Sequence, residues 1–436
     1  MQSSAGLRGD ATDEVLRDGD DATGGSVSHA AEPSATGLGE RKLSLGLALA
    51  LAGLTLFGYL LFNYFRVGDD LYAWSKTLAG FDVRQHLGMS KRWALQYGHL
   101  VFLFALLVLS KYLLVWDRTS ELFSRIVTLL DLYTLPVFVF HFPLLYFFAA
   151  LLGHDASQAG DQITLFVVVL VACIALGKLC FLIKPLCDRL QRRLVSAVAT
   201  QQVRWDEVRP LTRSHSEGLR LMRVVAMLSI YFGHFTFTQF SAATLPGFDH
   251  WQRWSIPFFF MLAGYFAMRS LSLRSYGALA DIVDRYVRLW YIVLPMLLVV
   301  PILDHVGFDL DPSLYYLHAK FVSPSEGGPT DVVGFLATVF NSLLYLNEIF
   351  LYNWLGLGPA LGGTELGGVR TFSNDVYWFL CYLMPFTAML AVMVNHKGPG
   401  KYVWLLLLAV FFGPPILMLS PLFFAGCFAY VIHQRV

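Results

Sequence analysis

The stretch that decides the fold is Glu217–Phe266, which reads EGLRLMRVVAMLSIYFGHFTFTQFSAATLPGFDHWQRWSIPFFFMLAGYF. Its first half has the pattern of an apolar helix that begins at a basic cluster and carries a histidine in its interior. Arg223 and His234 are eleven residues apart, which places both side chains on one helical face and about 16 Å from each other. An ionisable group costs roughly 2.5 to 3.5 kcal/mol at the centre of a membrane helix, so this pair predicts a functional site. The alternative is that His234 only bonds a neighbouring helix and Arg223 only anchors its own.

The composition predicts an all-α fold, a polytopic bundle of transmembrane helices. Of the 436 residues, 56% are hydrophobic and only 14% are charged. The uncharged run Leu43–Phe65 alone is long enough to cross a lipid bilayer. Backbone groups in lipid must bond within their own segment, so runs of this length should be helical. The five cysteines show no metal-ligand spacing, and we expect free thiols.

The apolar runs predict about ten spans and one re-entrant segment. The re-entrant segment is Val332–Asn347; if it crossed instead, the Lys397–Lys401 loop would lie outside, against the positive-inside rule. The predicted spans are Leu43–Phe65, Trp93–Trp116, Leu129–Leu152, Ile163–Ile183, Val224–Phe240, Trp254–Met268, Leu289–Leu303, Val376–Val394, Tyr402–Leu419 and Leu422–Ile432, with the last two separated at Ser420 and Pro421.

The distribution of charge predicts the orientation and the domains. Lys184–Arg223 holds nine basic and four acidic residues, so by the positive-inside rule it is cytoplasmic, as is the N-terminus. We expect a multi-pass protein of the plasma (inner) membrane. Residues 1–42 are polar, with eight acidic residues before position 41, and should form a disordered cytoplasmic tail. Residues 43–183 then form a four-span segment, 184–222 a basic cytoplasmic linker, and 223–436 a segment of six or seven spans.

Four motifs resemble one family when taken together. They are LRLMRVVAMLSIYFGH (219–234), FFFMLAGYF (258–266), RYVRLWYIVLP (285–295) and NDVYWFLCYL (374–383). In this order they are similar to the opening spans of the acyltransferase-3 family of multi-spanning membrane acyltransferases. The chain departs from that pattern at Ala263, where the family has a serine, and at Leu383, where many members have a glutamate.

The N-terminal third resembles the end of the same family. LYTLPVFVFHFPLLYFF (132–148) looks like the family's penultimate span, with His141 and Pro143 in register, and Lys184–Leu194 looks like its closing helix. The closing spans therefore precede the opening spans. This order implies either a circular permutation of the fold or two joined fragments.

The resemblance implies an acyl-CoA-dependent O-acyltransferase. Such an enzyme moves an acyl group, here expected to be acetyl, from CoA to a hydroxyl of an extracytoplasmic carbohydrate or lipid-linked glycan. His234 would be the catalytic base, since the ordinary pKa of histidine suits proton transfer near neutral pH. Arg223 would hold either the donor or the carbonyl substrate of the histidine in place. Arg285 and Arg288 would bind the CoA phosphates, because the guanidinium recognises phosphate bidentately; the alternative is that they are ordinary positive-inside anchors.

Three further residues are possible accessory groups. Trp378 is more typical of a packing residue than of a site residue, and His141 of a structural histidine with satisfied hydrogen bonds. Glu348 is more typical of a carboxylate at a helix end, although it could also assist the imidazole or bind the acceptor. The sequence contains no zinc spacing, no phosphate-cradling glycine loop and no serine elbow, so we predict neither a metal nor a nucleic-acid partner.

A transporter or flippase for a polar or lipid-linked substrate is the competing class. In such a protein His234 and the arginines would line a translocation path. Transporters of this kind commonly show internal repeats, and the four-span and six-span parts of this chain do not resemble each other. A third possibility is an inactive fusion product.

Overall fold

A computed structural model describes residues 44–80, 82, 87–113, 120–199, 211–242, 251–273, 276–316, 332–349 and 371–435. Every regular element in these ranges is a helix, which agrees with the predicted all-α class. The α-helices are α1 (Leu45–Tyr64), α2 (Val67–Ala79), α3 (Trp93–Leu113), α4 (Glu121–Leu152), α5 (Ala159–Val198), α6 (Arg213–Phe235), α7 (Trp251–Ser272), α8 (Ala278–Arg288), α9 (Trp290–Leu310), α10 (Pro312–Tyr316), α11 (Val332–Leu343), α12 (Trp378–Asn395) and α13 (Gly400–Arg435).

Seven of the described helices are long and apolar enough to cross a membrane, which indicates a membrane protein. They are α1, α3, α4, α5, α9, α12 and α13. The exposed surface of α1 is almost entirely apolar, whereas α4 and α12 are mostly buried by other helices. The sequence-based count of about ten spans stays a prediction.

Several helices are longer than the apolar runs that predicted them. The predicted linker of residues 184–222 is largely helical, because α5 continues to Val198 and α6 begins at Arg213. A charged residue interrupts an apolar run in the sequence but does not end a helix, because most charged residues are good helix formers. The sequence analysis also missed α2. The predicted disordered tail, residues 1–42, lies outside the described residues.

The predicted break between the last two spans is misplaced. Pro421 lies inside α13, and the one non-helical residue within that helix is Gly413 (φ 78°, ψ 177°). Gly413 precedes Pro414 and Pro415, and a residue before proline avoids the helical region. Glycine also tolerates the positive φ that follows. A single proline such as Pro421 is tolerated inside apolar helices.

The proposed re-entrant segment contains a short helix. α11 has 12 residues and is therefore about 18 Å long, less than the hydrocarbon thickness of a bilayer. Its end is held in the protein by buried polar contacts. Asn347 donates to Ser342 at 3.1 Å and to Thr371 at 2.9 Å.

Two parallel helices, α4 and α6, form the centre of the bundle. α5, which lies between them in the sequence, runs antiparallel to α4, since Asp155, just after α4, contacts Asp161 in the first turn of α5, and Tyr133 farther back in α4 meets Phe181 farther along α5. Five polar contacts join α4 to α6 and the turn after it, with partners 92 or 93 residues apart. These contacts are Arg213 with Glu121, Arg220 with Thr128, Arg223 with Asp131, His234 with His141, and Gln239 with Tyr146.

The last helix, α13, packs against α7, α12 and α3. Its crossing with α7 uses two glycines in direct contact with the opposite backbone. A Cβ atom on Gly264 would lie 1.9 Å from the carbonyl oxygen of Phe423, and one on Gly426 would lie 1.8 Å from that of Met261. Small residues at such crossings let two membrane helices approach closely, which strengthens their packing.

The glycine contact generates a stability prediction. Gly264→Ala or Gly426→Ala should lower the free energy of unfolding by about 1–3 kcal/mol, because the added methyl group meets backbone that cannot move aside. The measurement is unfolding of the purified protein by dodecyl sulfate, followed by circular dichroism. Gly58→Ala on α1 is the matched control, since nothing lies within 4 Å of a Cβ atom there. Equal stability of all three variants would contradict the close crossing.

Candidate functional site

The central feature of the candidate site is a hydrogen bond between two histidines. Nε2 of His141 on α4 lies 2.8 Å from Nδ1 of His234 on α6, and the two rings are nearly parallel, at 16°. His141 is 1% exposed and His234 is half-buried. The structure thus brings the proposed base into contact with a residue that the sequence analysis interpreted as structural.

The hydrogen bonds of His141 determine where the protons lie. Nδ1 of His141 is 2.9 Å from the carbonyl oxygens of both Val137 and Phe138. A carbonyl oxygen only accepts, so Nδ1 of His141 must carry a proton and donate it. In the neutral ring Nε2 is then an acceptor, and Nδ1–H of His234 donates to it. The neutral His234 therefore carries its lone pair on Nε2, the atom that could take a proton from a substrate.

Aromatic rings enclose the histidine pair. The ring centroid of His234 lies 5.0 Å from that of Phe142 and 5.3 Å from that of Phe237. Tyr231 packs edge-on against His141, with centroids 5.6 Å apart. Its hydroxyl donates to the carbonyl of Phe166 on α5 at 2.8 Å. These contacts fix the orientation of both imidazoles.

Arg223 is held by a carboxylate that the sequence analysis missed. Its Nε donates to Oδ1 of Asp131 at 2.6 Å, and its Nη2 donates to Oδ2 of the same group, so the pairing is bidentate. The guanidinium also lies 5.3 Å from the ring centroid of Phe266. Asp131 stands ten residues before His141, as Arg223 stands eleven before His234. That matched spacing is the signal in the sequence that could have revealed it.

The two predicted phosphate-binding arginines have different surroundings. Arg285 is paired with Asp281 at 2.7 Å and donates to the carbonyl of Ala267 at 3.1 Å, with its side chain only 10% exposed. Arg288 pairs with Asp284 but keeps 36% of its side chain exposed. A phosphate could therefore reach Arg288 more readily than Arg285.

A basic cluster surrounds Tyr291 at the start of α9. The ammonium of Lys184 lies 5.9 Å from the centroid of the Tyr291 ring, and Arg223 and Arg288 lie in the vicinity of the same side chain. We define these three cations, Lys184, Arg223 and Arg288, as the basic cluster. Each has a carboxylate partner, which for Lys184 is Asp188 at 2.8 Å. The sequence analysis did not single out Lys184.

The accessory candidates have mainly packing surroundings. The ring of Trp378 lies 5.2 Å from that of Tyr382 and 6.2 Å from that of Phe260. Glu348 is half-buried and interacts electrostatically with Cys381 on α12. Neither residue has a described contact with the histidine pair.

A second histidine pair, His215 and His433, lies at the other end of α6. Their ring centroids are 5.0 Å apart. His433 donates through Nε2 to the carbonyl of Val108 at 2.9 Å, so its Nδ1 accepts from the Tyr265 hydroxyl at 3.0 Å. His215 contacts Ser110 at 3.0 Å. This pair ties together α3, α6, α7 and α13.

In comparisons with known proteins, the chain matches no family model, no curated protein and no solved structure. The similarity of its motifs to the acyltransferase-3 family therefore stays a resemblance. The site must be interpreted from its own geometry.

The Arg223–Asp131 pair generates a prediction for a double-mutant cycle. Asp131→Asn and Arg223→Gln should each destabilise the protein, because each leaves a partly buried polar group without its partner. The double variant should recover part of the loss, with a coupling free energy of about 1–3 kcal/mol. Unfolding by dodecyl sulfate measures it.

The exposed pair Arg125 and Glu121 is the matched control for this cycle. Their side chains are 78% and 63% exposed, so their coupling should be about 0.5 kcal/mol or less. A coupling for Arg223 and Asp131 no larger than that of the control would show that the buried pair does not hold α4 to α6.

Proposed function

We propose that the protein is a membrane O-acyltransferase that moves an acyl group, expected to be acetyl, from acyl-CoA to a hydroxyl of an extracytoplasmic carbohydrate or related acceptor. The observation that carries the proposal is the bond between His141 and His234. It orients the half-buried imidazole of His234 and fixes which of its nitrogens is basic, as general-base catalysis requires. The resemblance of the motifs adds the reaction class.

His234 acts as the base in the proposed reaction. Nε2 of His234 takes the proton from the acceptor hydroxyl while that oxygen attacks the thioester carbonyl. The new C–O bond forms, the C–S bond breaks, and the imidazolium returns the proton to the CoA thiolate. His141 stabilises the imidazolium by accepting from its Nδ1–H, as the orienting partner in a catalytic triad does.

The basic cluster binds the phosphates of CoA in this proposal. Arg223 and His234 are separated by about 16 Å along α6. The extended pantetheine arm of CoA is long enough to carry a thioester over that distance. Arg223 and Arg288 offer planar guanidinium groups, and Lys184 adds a point charge. Arg285 is left out of the basic cluster because its ion pair with Asp281 is buried; its bond to the carbonyl of Ala267 instead positions α8 against α7.

The proposed orientation follows the charge of the loops. The basic cluster lies on the cytoplasmic side of the plasma (inner) membrane, where acyl-CoA is found, and the end of α6 that carries His234 lies toward the outside. The N-terminus is cytoplasmic, and the bundle has about ten spans with α11 in the re-entrant segment. No metal is required for the proposed steps.

Substitution of the base tests the proposal directly. His234→Ala should reduce the rate of acyl transfer by about 10²–10⁴-fold, the usual contribution of general-base catalysis. The measurement uses membranes that contain the protein, acetyl-CoA labelled in its acetyl group, and cell-envelope polysaccharide as acceptor. Transferred acetyl is counted as alkali-labile label. His396→Ala, in the loop after α12, is the control and should behave as wild type.

Substitution of the partner tests the histidine pair. His141→Leu should lower the rate by about 10²-fold, because the imidazolium of His234 loses its acceptor. His141→Gln should remain within about tenfold of wild type, since its amide oxygen can accept the same hydrogen bond. Full activity in His234→Ala would show that His234 is not the catalytic base. Transport of substrate with no requirement for CoA would favour a transporter or flippase.

The basic cluster predicts a separate effect on the donor. Lys184→Gln and Arg288→Gln should each raise the KM for acetyl-CoA about tenfold, equal to about 1.4 kcal/mol, with little change in kcat. Arg125→Gln, an exposed arginine outside the cluster, should leave KM unchanged. An unaltered KM for acetyl-CoA in both cluster variants would show that the basic cluster does not bind CoA.

A further inference from the structure

Pro143 interrupts the hydrogen bonding of α4 next to His141. A proline has no backbone N–H, so within a helix the carbonyl four residues earlier loses its usual donor, and the proline ring also presses against that carbonyl. For Pro143 that carbonyl belongs to Val139, and these two residues enclose the turn of α4 that carries His141. Val139 is 1% exposed, so we expect its carbonyl to find a donor elsewhere in the protein.

Asn374 supplies the missing donor from another part of the chain. Nδ2 of Asn374 donates to the carbonyl oxygen of Val139 at 3.0 Å. Asn374 is itself 2% exposed and lies just before the short 3₁₀ turn Asp375–Tyr377 that leads into α12. An asparagine at such a position often caps the turn that follows, but the side chain of Asn374 makes no capping bond to these described residues. Its amide therefore serves the contact with α4.

Pro421 in α13 provides a comparison, because its missing N–H is replaced within one helix. The carbonyl that Pro421 leaves without its usual donor is that of Leu417, and the hydroxyl of Ser420 donates to it at 2.8 Å. Such a bond ties a helix only to itself. The donor for Val139 comes from outside α4 instead, so it also holds the segment before α12 against α4.

The carbonyls just before this turn orient the ring of His141. Nδ1 of His141 donates to the carbonyl oxygens of Val137 and Phe138, each at 2.9 Å, so the position of those carbonyls sets the direction of the ring. Nε2 of the same ring lies 2.8 Å from Nδ1 of His234 and accepts its proton. A displacement of this part of α4 would therefore change the hydrogen bond between the two histidines.

We propose that Asn374 is a positioning residue for the histidine pair. Its side-chain amide replaces the N–H that Pro143 lacks, and thereby fixes the part of α4 that carries His141. This role rests on the proposed function for the action of His234 as the base, whereas the effect of Asn374 on the ring of His141 can be measured without catalysis. Asn374 is not a catalytic residue, because its side chain contacts Val139 and acts on the reacting group only through α4.

The kinetic experiment compares acetyl transfer by membranes that contain the wild-type chain or Asn374→Leu, which keeps much of the side-chain volume but has no donor. We expect kcat to fall about ten- to hundred-fold, since a small displacement of a reacting group from its productive geometry has effects of this size. The KM for acetyl-CoA should not change, because the basic cluster is unaltered. An unchanged kcat, or a loss that lies entirely in KM, overturns the assignment.

Rescue by Pro143→Ala distinguishes positioning from a general loss of stability. Pro143→Ala returns a backbone N–H to the carbonyl of Val139, so combined with Asn374→Leu it should have a kcat within about threefold of Pro143→Ala alone. Pro136→Ala is the matched control in the same helix, because it returns a donor to the carbonyl of Leu132 instead, and it should not rescue Asn374→Leu.

The rescue has two outcomes that overturn the assignment. One is a loss of the same size from Asn374→Leu with and without Pro143→Ala, and the other is equal rescue by Pro136→Ala. If Asn374→Leu alone does not fold, the double variant with Pro143→Ala must fold for the assignment to stand, because the carbonyl of Val139 then has its donor.

Nitrogen-15 NMR of the full chain labelled in its histidines tests the positioning without catalysis. Signals that disappear in His141→Leu belong to His141, whose protonated Nδ1 and accepting Nε2 differ in chemical shift. Asn374→Leu should shift or broaden these signals, and the addition of Pro143→Ala should return them to their positions in Pro143→Ala alone. Unchanged His141 signals in Asn374→Leu overturn the assignment.

The two measurements separate this role from the proposed function. Signals of His141 that depend on Asn374, in a protein that transfers no label from acetyl-CoA, would keep the positioning role and remove the acyltransferase. Acetyl transfer that depends on His234 but not on Asn374 would do the reverse.

Discussion

The register between α4 and α6 is the constraint on which the candidate site depends. Two adjacent parallel helices need a third that returns, and the 40 residues of α5 span about 60 Å, enough for that return. In lipid the hydrophobic effect does not drive helices together, so packing and polar contacts must set their alignment. The row of five contacts supplies that alignment. A shift of one helical turn would separate His234 from His141 and Arg223 from Asp131 at once.

Comparison of the two histidine pairs shows that burial alone does not identify a histidine as a candidate base. His141 and His433 have the same arrangement, in which one ring nitrogen donates to a backbone carbonyl and the other accepts from a side chain. His433 accepts from a tyrosine at a junction of four helices, where the bond holds the last helix in place. His141 accepts from a second imidazole, whose remaining nitrogen is basic. The identity of the hydrogen-bond partner distinguishes the candidate site from the structural contact.

The arginines also differ in their partners and in how much of each side chain a ligand can reach. Arg285 pairs with Asp281 and also donates to a backbone carbonyl, so its charge is neutralised within the protein. Arg223 and Arg288 also have carboxylate partners, yet about a third of each side chain remains exposed. A multiply charged ligand could add to such pairs without breaking them. The cluster around Tyr291 therefore suits a phosphate-bearing donor better than the Arg285–Arg288 pair on one helix does.

Composition and apolar runs determined the class of fold, because each run must satisfy its own backbone bonds in lipid. They placed the helices in order along the chain, although several extend well beyond the apolar runs, and the charge pattern of the Arg223 helix singled out His234. Helix ends within charged segments and the break at Gly413 were predicted poorly. The predicted boundaries came from the length of apolar runs, which takes no account of the helix propensity of charged residues or of a glycine that precedes two prolines. The partners of the site were decided only by tertiary structure. Nothing local in Asp131 or His141 indicates which residue 92 or 93 positions away it will contact, because that depends on the register of helices packed side by side.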